Sequence, residues 1–163
     1  MIKFPKEFIL ENSYFSNNSG SIEGGAIFLK NDLFSNNSKS IITSTIFSNN
    51  NAKLTGGAIN NENQNLEITK STFQNNSALF GGALYLKNEL KNPGNTYLDQ
   101  INFYLNFAER EGGALKYPEK WPLFGSIHFE KNVALYGDNY ASYPVRIAFK
   151  VYDVINSSSK NYF

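Results

Sequence analysis

Five near-copies of one segment run through the chain, and they restrict its fold more than any other property. The clearest copy is FQNNSALFGGALYL, Phe73 to Leu86. The others are FSNNSGSIEGGAIFL from Phe15, FSNNNAKLTGGAIN from Phe47, FYLNFAEREGGALKY from Phe103 and a degenerate FEKNVALYGDNYAS from Phe129. Aligned, they form columns. One holds Phe15, Phe47, Phe73, Phe103 and Phe129; three residues on stand Asn18, Asn50, Asn76, Asn106 and Asn132. Two further comes a small residue at Gly20, Ala52, Ala78, Ala108 and Ala134. Glycine pairs follow at Gly24-Gly25, Gly56-Gly57, Gly81-Gly82 and Gly112-Gly113, then an aliphatic residue at Ile27, Ile59, Leu84 and Leu115. The pairs begin 32, 25 and 31 residues apart, and Gly137 stands 25 residues after the last. A period of this size means one supersecondary unit per repeat, too small to bury its apolar face alone and stabilised by its neighbours.

The pattern inside the unit selects the kind of solenoid. Ahead of each Phe, apolar or small residues alternate with polar ones: NLEITKSTF from Asn65 places Leu66, Ile68 and Phe73 near one face, and Ser40 to Phe47 reads similarly. Such alternation marks strands. No segment offers the ten or more residues of 3.6 periodicity that a helical repeat needs. The dense L-x-x-L-x-L pattern of leucine-rich repeats is absent as well. The expected fold is therefore all-β, a parallel β-helix of about five coils, with strands near 66–73 and 82–87 in the third copy and equivalents elsewhere.

Each column then has a physical role. Stacked phenylalanines form the core, each contributing about 2–3 kcal/mol by burial. The asparagines are expected at a bend, their amides bonded to those above and below in the ladder known from cross-β stacks. The glycine pair suits a corner at which φ is positive or two backbones come close. Asn-Asn ahead of it suits a turn for related reasons.

Spacing also locates the loops. From each Phe to the next glycine column the distance is always 8 or 9 residues, whereas from that glycine to the next Phe it varies between 17 and 23. One corner tolerates insertion, and loops should emerge along one flank, where repeat proteins commonly bind. KNELKNPGNTY, Lys87 to Tyr97, is one such loop; KYPEKWPLFG, Lys116 to Gly125, is another and holds the only Trp; NDLFSNNSKS, Asn31 to Ser40, reads as an excursion. The repeat domain is expected over 1–142. A strand with alternating Val145, Ile147, Phe149 and Val151 over 143–154 either caps the coil or opens a following domain, and 155–163 reads as a disordered tail.

Composition removes several classes. The 163 residues carry a formal net charge of +1 with Lys and Glu scattered, so no basic stripe points to nucleic acid. Without cysteine there are no disulfides, thiolate metal sites or thiol nucleophiles. No apolar run approaches the roughly 20 residues of a membrane helix, so this segment is not expected to insert into a membrane. MIKFPKEFIL lacks the apolar region and cleavage site of a secretory signal. Because Phe8 to Phe15 already reads as a repeat strand with no cap before it, the chain is expected to be a segment of a longer one.

The pairing of F-x-x-N with G-G-A-[I/L], from Phe15 to Tyr140, resembles the repeats of chlamydial polymorphic outer membrane proteins, autotransporter adhesins with a right-handed parallel β-helix passenger. The Asn-rich FSNNS and GGA units with YGDNYASYP from Tyr136 are also similar to very large pectin-lyase-like surface proteins of ciliates. The resemblance implies a right-handed, single-stranded, pectin-lyase-like β-helix, secretion and a long parent chain. It is specific for fold and weak for function, since such folds host lyases, adhesins and spikes alike.

Candidate sites are few. His128, the one histidine, sits at the polar position between Ile127 and Phe129 and reads as surface, with no partner beside it in the pattern. The four aspartates, Asp32, Asp99, Asp138 and Asp153, fall in different coils, which does not suit the clustered carboxylates of carbohydrate-cleaving β-helices. Glu109 and Glu111 flank Arg110 beside a corner and read as solvated charges, the alternative being that they pair or bind a cation. Trp121, with Tyr117 and Lys120, either forms a sugar-stacking or protein-binding platform or folds down over the coil. N-x-S sequons stand at Asn17, Asn36, Asn75 and Asn156; at 17 and 75 the acceptor should face outward while its neighbour joins the ladder. The reading is a non-enzymatic extracellular spacer or adhesion surface without cofactor or metal, its partners glycans or cell-surface proteins on the loop side. The alternative is a pectin-lyase-like protein that binds or cleaves carbohydrate.

Overall fold

The computed structural model describes residues 7–30, 39–88, 95–118 and 122–142. Each repeat supplies four short strands. The first gives β1 (Glu7–Glu11), β2 (Tyr14–Ser16), β3 (Ser19–Gly20) and β4 (Ile27–Lys30), and the second β5 (Lys39–Thr43), β6 (Ile46–Ser48), β7 (Asn51–Ala52) and β8 (Ile59–Glu62). The third gives β9 (Asn65–Thr69), β10 (Thr72–Gln74), β11 (Ser77–Phe80) and β12 (Leu84–Lys87). The fourth gives β13 (Thr96–Asp99), β14 (Ile101–Tyr104), β15 (Phe107–Glu111) and β16 (Leu115–Tyr117), and the fifth β17 (Leu123–Phe124), β18 (Ile127–Glu130), β19 (Val133–Tyr136) and β20 (Tyr140–Ser142). Equivalent strands pair in parallel, making four sheets of five strands. Sheet one is β1, β5, β9, β13 and β17; sheets two, three and four collect the second, third and fourth strand of every repeat. No helix occurs among the described residues, and the architecture is a parallel β-solenoid.

Register places like residues over like. On sheet one Leu10, Ile42, Ile68, Leu98 and Phe124 are successive partners. On sheet two the partners are Phe15, Phe47, Phe73, Phe103 and Phe129. Those rings stack with centroids 4.9–5.3 Å apart and planes within 8–20°, the spacing that parallel strands impose on identical side chains. Ile59, Leu84 and Leu115 line the inner face of sheet four, fully buried. Alternation of inward apolar and outward polar residues thus builds one continuous core whose members lie in the three central rungs and the inner edges of the outer two.

Corners, not strands, show where the sequence pattern was incomplete. The single strand expected over 66–73 is two, β9 and β10, separated by a turn at Lys70 with φ 50°; the strand expected from 82 begins at Leu84. The same corner occurs at Asn12, Ser44 and Gln100, φ 48–53°. It is braced by a hydroxyl column beside it: Ser13, Thr45 and Ser71 each donate to the carbonyl two residues back, and the Ser71 hydroxyl also accepts the Thr45 N–H at 3.1 Å. A second left-handed corner, between sheets two and three, is formed by Asn17, Asn49, Asn75, Leu105 and Lys131.

The glycine pair divides two tasks between its members. The first glycine, Gly24, Gly56, Gly81 or Gly112, has φ 60–68°, a region that L-residues with a Cβ avoid. The second has no such φ, but a Cβ on Gly57 or Gly82 would collide with the carbonyl oxygen of the equivalent residue one rung on.

The connection between sheets two and three is two residues in every repeat. From sheet four to sheet one it is eight residues after Lys30, two after Glu62, eight after Lys87 and five after Tyr117. The length-variable segments therefore leave from one longitudinal edge.

Candidate functional surface

The interior polar column is a hydrogen-bonded ladder with a direction. Asn18 donates from Nδ2 to Oδ1 of Asn50 (2.9 Å), Asn50 to Asn76, Asn76 to Asn106 and Asn106 to Asn132 (3.0 Å each). The same Oδ1 atoms accept the backbone N–H of the preceding asparagine at 3.0–3.1 Å. The second Nδ2 hydrogen of Asn50, Asn76, Asn106 and Asn132 goes to the carbonyl of Phe15, Phe47, Phe73 and Phe103, one rung back. Both donors and both acceptor sites of the central amides are thus filled inside the protein, which makes buried polar groups tolerable. Asn17 and Asn75, the sequon acceptors preceding ladder members, are exposed.

Charged side chains mark the length-variable edge. Glu62, buried near the end of β8, lies 3.2 Å from both Lys30 below and Lys87 above, each half-exposed. Across the adjoining edge Lys39 meets Glu67 at 2.7 Å, and this bond holds the Lys39 ammonium above the ordinary lysine range. Beside that pair, Lys39, Glu67, Asn95, Tyr97 and Leu123 line a shallow groove on the outer face of sheet one. Tyr97 and Leu123 are exposed there. A second shallow groove, on the outer face of sheet three, is lined by Asn51, Lys53, Ser77, Phe107 and Glu109.

The structure corrects one sequence candidate and gives partners to two others. Tyr117, a candidate for a platform with Lys120 and Trp121, is 4% exposed and belongs to the core, tilted against Tyr140 at 6.3 Å. It occupies an inward position of β16, where strand alternation turns every second residue to the core, and burial pushes its phenol above the ordinary range. Lys120 and Trp121 lie outside the described residues, as do 143–154, 155–163 and most of the Asn31–Ser40 excursion. Of the two readings of Glu111, pairing is the one observed: it meets Lys116, whose side chain is 1% exposed. The two stand five residues apart, on either side of the glycine corner, a relationship that helix or strand spacing does not suggest. His128 is exposed but not alone, with Nε2 3.7 Å from Oε2 of Glu130, which also meets Lys131 at 3.0 Å. Lys131, first through its hydrogen bond, depresses the Glu130 carboxyl, and its ammonium lies 5.8 Å from the Tyr104 ring centroid.

Both described aspartates hold backbone. Asp99 accepts the Ser126 N–H at 2.7 Å, which holds its carboxyl below the usual range, and Asp138 accepts the Ala134 N–H at 3.0 Å. Among the described residues no three His, Cys, Asp or Glu side chains gather as metal ligands would, and no helix is long and apolar enough to cross a membrane. The ladder column was accessible to sequence reasoning. The hydroxyl column at Ser13, Thr45 and Ser71 was missed, although its signal, Ser or Thr two residues before Phe in three copies, is equally plain.

Parallel sheets with stacked phenylalanines and an internal asparagine ladder place the protein among β-solenoids. The model of the Chlamydia polymorphic membrane protein (Chlamydia_PMP) repeat matches residues 12–30, 44–62 and 70–87, so the chain carries repeats of this kind. Each matched stretch begins at or next to the corner between sheets one and two and ends with the sheet-four strand of the same rung. No curated protein and no solved structure matches the chain.

Proposed function

We propose that this chain is a surface-associated, non-enzymatic β-helix segment whose ladder makes a stiff rod and whose length-variable edge presents contact residues to glycans or cell-surface proteins. The carrying observation is that the connection from sheet four to sheet one varies from two to eight residues, while the path from the sheet-two phenylalanine to the first residue of the sheet-four strand is 11 or 12 residues in all five rungs. A scaffold of constant path length that gathers its length variation on one edge is how repeat proteins separate stability from recognition. The polymorphic membrane protein repeats support a place at the outer membrane or cell surface. The structural use of Asp99 and Asp138, each holding a backbone N–H in a different rung, supports a role without catalysis, since the two carboxylates do not converge on one site. A carbohydrate-binding reading is favoured by the sheet-one groove with its exposed Tyr97 beside that edge.

The test is a glycan-array and cell-surface binding screen with the intact chain, repeated with Trp121→Ala, Lys120→Ala and Tyr97→Ala. Binding that at least one substitution abolishes supports a recognition edge. Binding that survives all three places recognition elsewhere and overturns the assignment of this edge, and release of shortened sugars would overturn the non-enzymatic reading.

A further inference from the structure

The fifth repeat reads Gly137-Asp138-Asn139 where the four before it read Gly-Gly-Ala. The first glycine keeps its place and its left-handed φ, 69°, so the backbone turns as in the other rungs. The changes fall on the next two residues of that corner.

Asp138 replaces the glycine whose missing Cβ admits the next rung. A Cβ on Gly25, Gly57, Gly82 or Gly113 would collide with the carbonyl oxygen of Gly57, Gly82, Gly113 or Asp138, in each case the equivalent residue one rung on. By the same translation, the Cβ that Asp138 does carry fills the space a sixth rung's carbonyl would need. Its carboxylate does a second thing. Val133 donates its N–H back to Asn106, so in a parallel ladder the neighbouring Ala134 N–H faces away from the fourth rung, and Asp138 Oδ1 accepts it at 3.0 Å. Asn139 closes the other column: its Oδ1 accepts Nδ2 of Asn132 at 3.3 Å, the donor that in every earlier rung goes to the next asparagine.

We infer that Asp138 and Asn139 are a terminator: the fifth rung is the last this ladder accepts, and its end is closed to in-register addition of another β edge. The edge excluded includes the chain's own first rung on a second copy. That rung offers what a sixth would: Asn18 Oδ1 accepts no bond among the described residues, Phe15 has one stacked neighbour, and Gly20, Gly24 and Gly25 carry no side chains. Such a contact is head-to-tail and does not close, so without the terminator it propagates into fibres.

Sedimentation velocity on the full chain tests this with two double variants. Asp138→Gly with Asn139→Ala restores the repeat consensus and should assemble in a concentration-dependent way where the native chain stays monomeric. Asp138→Ala with Asn139→Ala loses the hydrogen bonds but keeps the Cβ, and should stay monomeric. Equal assembly by both variants, assembly by the native chain, or a monomeric glycine variant with native circular dichroism overturns the proposal. Independently of folding in the glycine variant, amide exchange at Ala134 should be slow in the native chain and accelerate about tenfold in Asp138→Ala, as for loss of a bond to a charged acceptor; an unprotected Ala134 in the native chain overturns it as well.

Discussion

Asn76 and Asn106 are joined side chain to side chain, Nδ2 to Oδ1 at 3.0 Å, and the same Oδ1 takes the Asn76 backbone N–H. Asn76 in turn accepts twice from Asn50 and donates to the Phe47 carbonyl. Replacing Asn76 with Ala strands these partners in a fully buried position. With about 1–3 kcal/mol for each buried group left unpaired, and partial relaxation, the loss should be about 3–4 kcal/mol in urea unfolding. Asn75→Ala, one residue away but exposed, loses only the ease with which asparagine occupies φ 52°, about 1 kcal/mol.

Gly82→Ala should be far worse than its single methyl suggests. The added carbon meets the carbonyl oxygens of Gly113 and Phe107, both backbone and both in the next rung. Neither moves without parting the rungs, so a loss above about 4 kcal/mol, or failure to fold, is expected. A soluble, cooperatively unfolding Gly82→Ala chain would contradict the close approach.

Leu105 is a strained residue in an otherwise favourable corner. Its φ is 54°, where the first three repeats have asparagine, and its side chain is partly exposed, so little burial offsets the strain. Leu105→Asn should raise stability by about 1 kcal/mol, read as a higher urea midpoint with unchanged slope.

Asp99 links stability to acid. Its carboxyl titrates below the ordinary aspartate range because, first, the Ser126 N–H bonds the charged form. The unfolded chain therefore binds the proton first, so the contribution is complete above the unfolded aspartate value and is lost as pH falls through the folded one. Asp99→Asn should lower the thermal midpoint at neutral pH and flatten its fall below about pH 4. An unchanged acid limb would exclude the role.

The fold was legible because stacking forces equivalent residues to repeat: a phenylalanine over a phenylalanine and an amide over an amide leave columns that one chain displays five times. Corners were less so. Lys70 and Gln100 adopt left-handed backbone without being glycine or asparagine, because hydrogen bonds to the next rung hold them, as from Lys70 N to Asp99 O at 3.0 Å. A contact between rungs leaves no local signal. The inward turn of Tyr117 was hidden for a related reason: proximity to Pro118 and Trp121 made it look like loop, whereas its register with Ser142 makes it strand. Glu111 and Lys116 pair across a corner whose geometry must be known before their spacing means anything.

Asn50, Asn76, Asn106 and Asn132 each point their C=O toward the N-terminal rung, and Asn18, Asn50, Asn76 and Asn106 each send one N–H toward the C-terminal one. Their dipoles therefore add along the axis instead of cancelling, as peptide dipoles do in a helix. The asparagine column is thus electrically polar along the axis, with its positive end at the fifth rung, where the oxygen of Asn139 is seated.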